Sequence, residues 1–137
     1  MNEDRRTLLR SLSRRLSYRF RNLSLLDRAL THRSFTNEHP REATQDNERL
    51  EFLGDAVLDL CVSDLLMESF PSDTEGSLSR RRAACVNERT LAALSTALGL
   101  GQGLLLGKGE ALSGGREKAS LLADALEIPV HLAHVSC

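Results

Sequence analysis

Apolar residues recur along most of this chain at helical spacing, and strand-length alternation is scarce. Residues 5–17 set Leu8, Leu9, Leu12 and Leu16 against an arginine-rich opposite face, the signature of an amphipathic helix. A short helix is expected in "SLLDRALTHRSF", with Ser24 as N-cap. "TNEHPREATQD" is polar, contains Pro40 and has no period, so it should be a loop. Asp46 or Asn47 would then cap a long helix ending near Phe70, because Pro71 disfavours helical geometry before it. Ser77 is expected to cap "LSRRRAACV", and Asn87 or Glu88 to begin "ERTLAALSTALGL", closed by Gly99 and Gly101. A Gly-rich loop with one helical turn follows. The last helix, around "EKASLLADALE", should break near Pro129.

Length and composition narrow the class. At 137 residues, 41% hydrophobic, 27% charged and 4% aromatic, the chain suits one soluble domain whose Leu and Ala favour an all-α fold. Formal net charge is −1, so bulk charge gives no sign of a polyanionic partner. Cys61, Cys85 and Cys137 are odd in number and widely spaced, which fits a reducing compartment; Cys61 and Cys85 sit in apolar patterns and are expected in the core. No apolar run is long enough for a membrane span and the N-terminus has no signal core, so a cytoplasmic location is expected.

The segment "DNERLEFLGDAVLDL" raises a chemical question. On a helix, Glu48, Glu51, Asp55 and Asp59 fall in one narrow stripe, while Leu50, Leu53, Val57 and Leu60 make the opposite face apolar. This predicts a helix buried on most of its circumference. The stripe carries one sign of charge, without the mixed pairs usual on a solvated face. In "LLADALE", Asp124 and Glu127 form a second i,i+3 pair among apolar neighbours. Two readings stay open: solvated acidic faces, or two facing helices sharing a hard cation such as Mg²⁺, which prefers carboxylate oxygen and supports phosphodiester chemistry. Lys108 in "LGKGE" lacks the spacing of a phosphate-cradling loop.

The residues also carry a resemblance. "NERLEFLGDAVL" is similar to the signature of the ribonuclease III family, with Asp46 where the family usually has His. "YRFRNLSLLDRALTHRS", "FPSDTEGSLSRRRAACVNERTLA" and "LLLGKGEALSGGREKASLLADALE" resemble further family blocks in the same order over residues 18 to 127. The resemblance implies an all-α ribonuclease III endonuclease domain over residues 1–127, homodimeric, cleaving double-stranded RNA in RNA processing, such as ribosomal RNA processing. It implies Mg²⁺, replaceable by Mn²⁺, and in-line attack by metal-activated water that leaves 5′-phosphate and 3′-hydroxyl ends. Glu51, Asp55, Asp124 and Glu127 fall on its catalytic metal ligands, and Glu48 and Glu75 on auxiliary acidic positions; Asp59 receives no role. Arg80, Arg81, Arg82, Arg116 and Lys118 are candidate RNA contacts, and Phe52 a candidate anchor of the dimer interface. His32 is expected to be a structural hydrogen-bonding residue.

After Glu127 the match stops, where the family continues through a long apolar helix to an RNA-binding domain. "IPVHLAHVSC" is therefore expected to be an atypical, loosely ordered tail over 128–137, resembling a truncation or frameshift, with Glu127 in the final helical turn. His131, His134 and Cys137 share helical spacing, but a loose tail makes them a poor metal site. The alternative function is a catalytically impaired module that dimerises or binds RNA. A purely structural helical protein would instead show no specific Mg²⁺ binding.

Overall fold

The structure is a computed structural model that describes residues 1–43 and 45–135, with side chains through Leu132. It is all-α among those residues: α1 Glu3–Arg15, α2 Leu23–Ala29, α3 Arg33–Glu38, α4 Glu48–Ser69, α5 Glu75–Cys85, α6 Glu88–Ala97, α7 Lys108–Leu112 and α8 Ala119–Val135. Short 3-10 turns occupy Leu100–Gly103 and Gly115–Glu117.

Local chemistry sets most helix starts. Asn2 Oδ1 accepts from the Arg5 amide at 2.8 Å and Asn87 Oδ1 from Thr90 at 2.9 Å, each covering an N–H that the first turn leaves free. Elsewhere the cap lies upstream of the expected residue. Asn22, not Ser24, opens α2, and Thr74, not Ser77, opens α5. At α4 the two candidates divide the work: Asp46 Oδ1 accepts from the Glu48 amide at 3.0 Å, while the buried Asn47 side chain donates to Ala29 O at 3.0 Å.

The helix expected through "SLLDRALTHRSF" is two helices. Leu105 N donates to Leu30 O at 2.8 Å and His32 N donates to Leu105 O at 3.0 Å, a one-rung bridge that takes the backbone groups a continuous helix would need. His32 then caps α3, its Nδ1 accepting from the Ser34 amide at 3.1 Å, as a structural residue should. Gly107 N donates to Ser34 Oγ at 2.8 Å and Lys108 N to Glu38 Oε2 at 2.7 Å. The start of α7 is thus filled from α3 and does not cradle phosphate.

α8 is the organising element. It packs between α4 and α6, and its Ala125 and Ile128 are fully buried. Leu9 and Leu12 of α1 with Leu26 and Leu30 close the other side of the core. Two expectations are corrected here. α8 does not break at Pro129: it continues through it to Val135, two turns beyond Glu127, because Pro129 is fully buried and Ile128 anchors the segment in the core. Residues 128–135 are therefore a helix docked in the core and not a loose tail, and His131 is buried in it. The calls on the His134 side chain and Cys137 lie outside the described residues. Secondly, α4 is not buried on most of its circumference. Gly54 is its single buried residue, while Phe52, Leu60, Leu65 and Met67 are 83%, 63%, 60% and 64% exposed. Cys85 is likewise exposed, not core, and Cys61 is half-buried.

Candidate active site

Gly54 determines how closely α4 meets α8. A β-carbon there would stand 3.2 Å from the Glu127 carbonyl oxygen, so only glycine lets the two backbones come this near without displacement. With the axes held together, Glu51 and Asp55 of α4 meet Asp124 and Glu127 of α8. Their spacings, i,i+4 and i,i+3, keep each pair on one face of its helix.

The carboxyl groups pair across the helices: Glu51 hydrogen-bonds Asp124, and Asp55 hydrogen-bonds Glu127. Two carboxyls bond in this way only if one keeps a proton. Burial and the neighbouring charges favour the protonated form across this cluster, most of all for the α8 acids. Burial, followed by the Asp55 hydrogen bond and the charges of Asp55, Asp124 and Glu51, pushes Glu127 up to about 9. Burial and the charge of Glu51 raise Asp124 to about 7. Glu51 is also raised, chiefly by burial, against the lowering hydrogen bond from Asp124.

These groups line an open cleft of about 470 Å³ shared by α4, α6 and α8. Asp59, Asn87, Glu88, Leu91 and Ser120 complete much of its wall. Six of the lining residues are acidic and none is basic. Glu127 is only 7% exposed, and its Oε2 is buried without a hydrogen-bond partner.

An all-oxygen donor set, two carboxyls driven to hold protons and an orphaned buried oxygen fit a hard divalent cation. Yet among the described residues no three acidic, histidine or cysteine side chains are already spaced to grip an ion. A ligand set would therefore close only on binding, when cation charge replaces the protons that burial keeps on these acids.

Other expected site residues lie apart. Glu48 is exposed one turn before Glu51, faces Arg33 at 3.5 Å and acts on Glu51 only through its charge. Glu75 begins α5 beside Ser63, Met67 and Arg82, outside the acidic cleft. Arg81 binds Asp73 at 2.7 Å and covers the Phe70 ring at 3.6 Å, while Arg82 donates to Ser63 Oγ at 3.0 Å. Arg116 clamps the carbonyls of Leu104 at 2.6 Å and Gly101 at 3.1 Å. Lys118 faces Glu110 at 3.8 Å. Arg80 is the member of this group left exposed without an ion pair or hydrogen bond among the described residues.

Two acids were undervalued by sequence reasoning. Asp59 lines the cleft one turn beyond Asp55, continuing the same stripe, so its signal was already in the spacing. Glu88 adds its charge to Asp124 from the first turn of α6. Its place in the sequence announces a helix start but not which cleft that start faces.

Comparison with known proteins follows the same lines. The family model described as Ribonuclease-III-like matches residues 22–128. The chain is 57% identical over 119 residues to Ribonuclease 3 of Syntrophobacter fumaroxidans, covering 87% of this chain and 49% of that protein. It is 50% identical over 127 residues to Ribonuclease 3 of Geobacillus kaustophilus, covering 93% and 52%. The chain thus spans about half the length of these relatives. Among solved structures, a nuclease domain of ribonuclease III from Campylobacter jejuni, described for structural flexibility in a region involved in dimer formation, aligns with TM-score 0.83 and 46% identity over 91% of this chain and 83% of that one.

Proposed function

We propose, from the premise that this chain belongs to the ribonuclease-III-like family, that it is a divalent-metal-dependent endonuclease domain acting on double-stranded RNA. The observation carrying this reading is the convergence of Glu51, Asp55, Asp124 and Glu127 on one open cleft, with Glu127 Oε2 buried and unsatisfied. Glu51, Asp55, Asp124 and Glu127 would hold Mg²⁺ or Mn²⁺, with Glu48 as a charged neighbour and Asp59 and Glu88 deepening the negative field. Bound there, the metal would neutralise the acids, polarise the scissile phosphate and favour in-line hydrolysis to 5′-phosphate and 3′-hydroxyl ends.

The protein's part is positional. The backbone contact at Gly54 sets α4 against α8, and the buried turns beyond Glu127 seat its helix in the core, the kind of support metal geometry requires. That continuation supports the catalytic reading over the impaired-module alternative, which rested on the altered C-terminus.

The apolar face of α4 supports a homodimer. Phe52 and Leu53 stand exposed near the acidic end of the helix, and Leu60 and Met67 extend the same face. A run of this size on one helix marks an interaction surface. Its occupant in this reading is a second copy, with Phe52 near the twofold axis and one acidic cleft for each RNA strand. A reducing cytoplasm suits the exposed thiol of Cys85.

The test is cleavage of a long perfect RNA duplex at low salt with Mg²⁺ or EDTA, comparing the parent with Glu127→Gln. Short duplex products from the parent with Mg²⁺ alone, carrying 5′-phosphate ends, are expected. A folded, dimeric parent that leaves the duplex intact would overturn the catalytic reading.

A further inference from the structure

We propose that a second, basic cleft at the C-terminal end of α1 is a contact surface for the phosphate backbone of duplex RNA. The proposal rests on the functional reading above for the identity of the substrate, but on separate residues.

Charge is strongly segregated along this near-neutral chain. Residues 1–21 carry seven arginines and two acids, a formal charge of +5, while residues 22–137 carry −6. The fold concentrates the first group. A cleft of about 650 Å³, larger than the acidic one, is lined by Arg10, Arg14, Arg19 and Arg21 together with Tyr18 and serine and apolar neighbours, and no acid lines it. Arg10 meets the exposed Glu3 at 3.4 Å. Arg14, Arg19 and Arg21 are exposed, and their side chains make no ion pair or hydrogen bond among the described residues.

The cleft is a built feature of the backbone. Ser17 adopts φ +53°, which turns the chain back at the end of α1. Tyr18 N donates to Ser13 O at 3.1 Å, and the buried Ser13 hydroxyl donates to Tyr18 O. Tyr18 then packs edge-to-face on the buried Phe20 ring at 4.8 Å. The turn carrying Arg19 and Arg21 is thereby held against the last turns of α1. Basic residues ending a helix are ordinarily explained by its dipole. That accounts for Arg14 and Arg15, and Arg15 is already engaged with Leu98 O at 3.3 Å. Arg19 and Arg21 lie beyond the helix, where the dipole gives no reason for them.

Guanidinium groups without acid partners match phosphate oxygens bidentately and carry no sequence preference, as shape readout of a duplex requires. Arg15, the neighbour of Arg14 in the chain, reaches the C-terminal end of α6, and Glu88 at the other end of that helix, about 15 Å away, lines the acidic cleft. The acidic cleft repels phosphate unless metal is bound; a separate cationic surface supplies the attraction it lacks.

The test compares the full chain with the triple variant Arg14→Gln, Arg19→Gln, Arg21→Gln, using fluorescence anisotropy of a labelled RNA duplex in EDTA across a NaCl series. Affinity should fall tenfold or more, and the slope of log K against log[salt] should flatten by about 2–3, with thermal unfolding unchanged because the three side chains are exposed. An unchanged slope, or no duplex binding by the parent, overturns the proposal. Cleavage with Mg²⁺ at saturating RNA separates the two readings. A parent that cuts while the slope stays fixed sinks this inference alone; a parent that binds with the expected slope change but never cuts sinks the catalytic reading alone.

Discussion

Gly54 of α4 lies against the backbone of Glu127 in α8, with only 3.2 Å between an ideal β-carbon at residue 54 and the Glu127 carbonyl oxygen. The obstacle is helix backbone, which cannot swing aside as a side chain could. Alanine normally gains about 1 kcal/mol over glycine inside a helix. Here Gly54→Ala is expected to forfeit that gain, and Gly54→Val to lower the melting temperature clearly. Both should weaken Mg²⁺-dependent cleavage by more than the stability loss explains, because the α4–α8 spacing sets the carboxyl geometry. A more stable, fully active Gly54→Val protein would refute the role given to this contact.

Glu127 links stability to pH. Its carboxyl ordinarily titrates near 4.5 and is raised to about 9 in the fold, so between those values the folded state holds a proton that the unfolded chain has lost. Metal-free stability is then greatest below about pH 4.5 and declines as pH rises towards about 9, with Asp124, raised to about 7, adding to the decline. Thermal melts in EDTA should show this slope, and Mg²⁺ should flatten it by supplying the missing positive charge.

Glu127→Gln separates stability from function. The amide keeps the shape, can donate to Asp55 and never ionises. Its metal-free melting temperature at pH 8 should exceed that of the parent, while cleavage falls by at least about a hundredfold, the upper end for outer-shell partners of a metal. Lower stability at pH 8 would show that the buried acid is already satisfied without a cation.

Phe52 is 83% exposed on an apolar helix face. Phe52→Asp should leave the fold intact and shift a micromolar sample from dimer to monomer in sedimentation velocity. A large aromatic at the centre of an interface often accounts for 2 kcal/mol or more, roughly a thirtyfold change in dissociation constant. An unchanged dimer would place the interface elsewhere.

Pro129 costs α8 one hydrogen bond and crowds the preceding turn, a penalty of about 3 kcal/mol in a helix interior. Its ring is fully buried, and Pro129→Ala would remove two methylenes worth about 1.6 kcal/mol. The net expectation is a gain of about 1 kcal/mol, seen as a melting temperature several degrees higher in calorimetry.

Much of this molecule was legible in the sequence. The spacing of Glu51 with Asp55 and of Asp124 with Glu127 fixes two carboxyl pairs on two helix faces, because helical geometry is local. Asn87, Pro71 and Gly99 mark helix ends for equally local reasons of capping and backbone freedom. The tertiary structure alone decided which surfaces those faces met. Nothing in "LEFLGDAVLDL" distinguishes a helix buried all round from one that touches its own chain at Gly54 and leaves Phe52 and Leu60 uncovered. Pro129 reads locally as a helix stop, and the core overrode it because burial of Ile128, Pro129 and Leu132 outweighs one lost hydrogen bond. Arg116 reads as a free cation until the fold sets two carbonyls before it. Periodicity depends on neighbours a few residues away; burial, carboxyl pairing and the employment of each arginine depend on partners tens of residues away, brought close only by the fold.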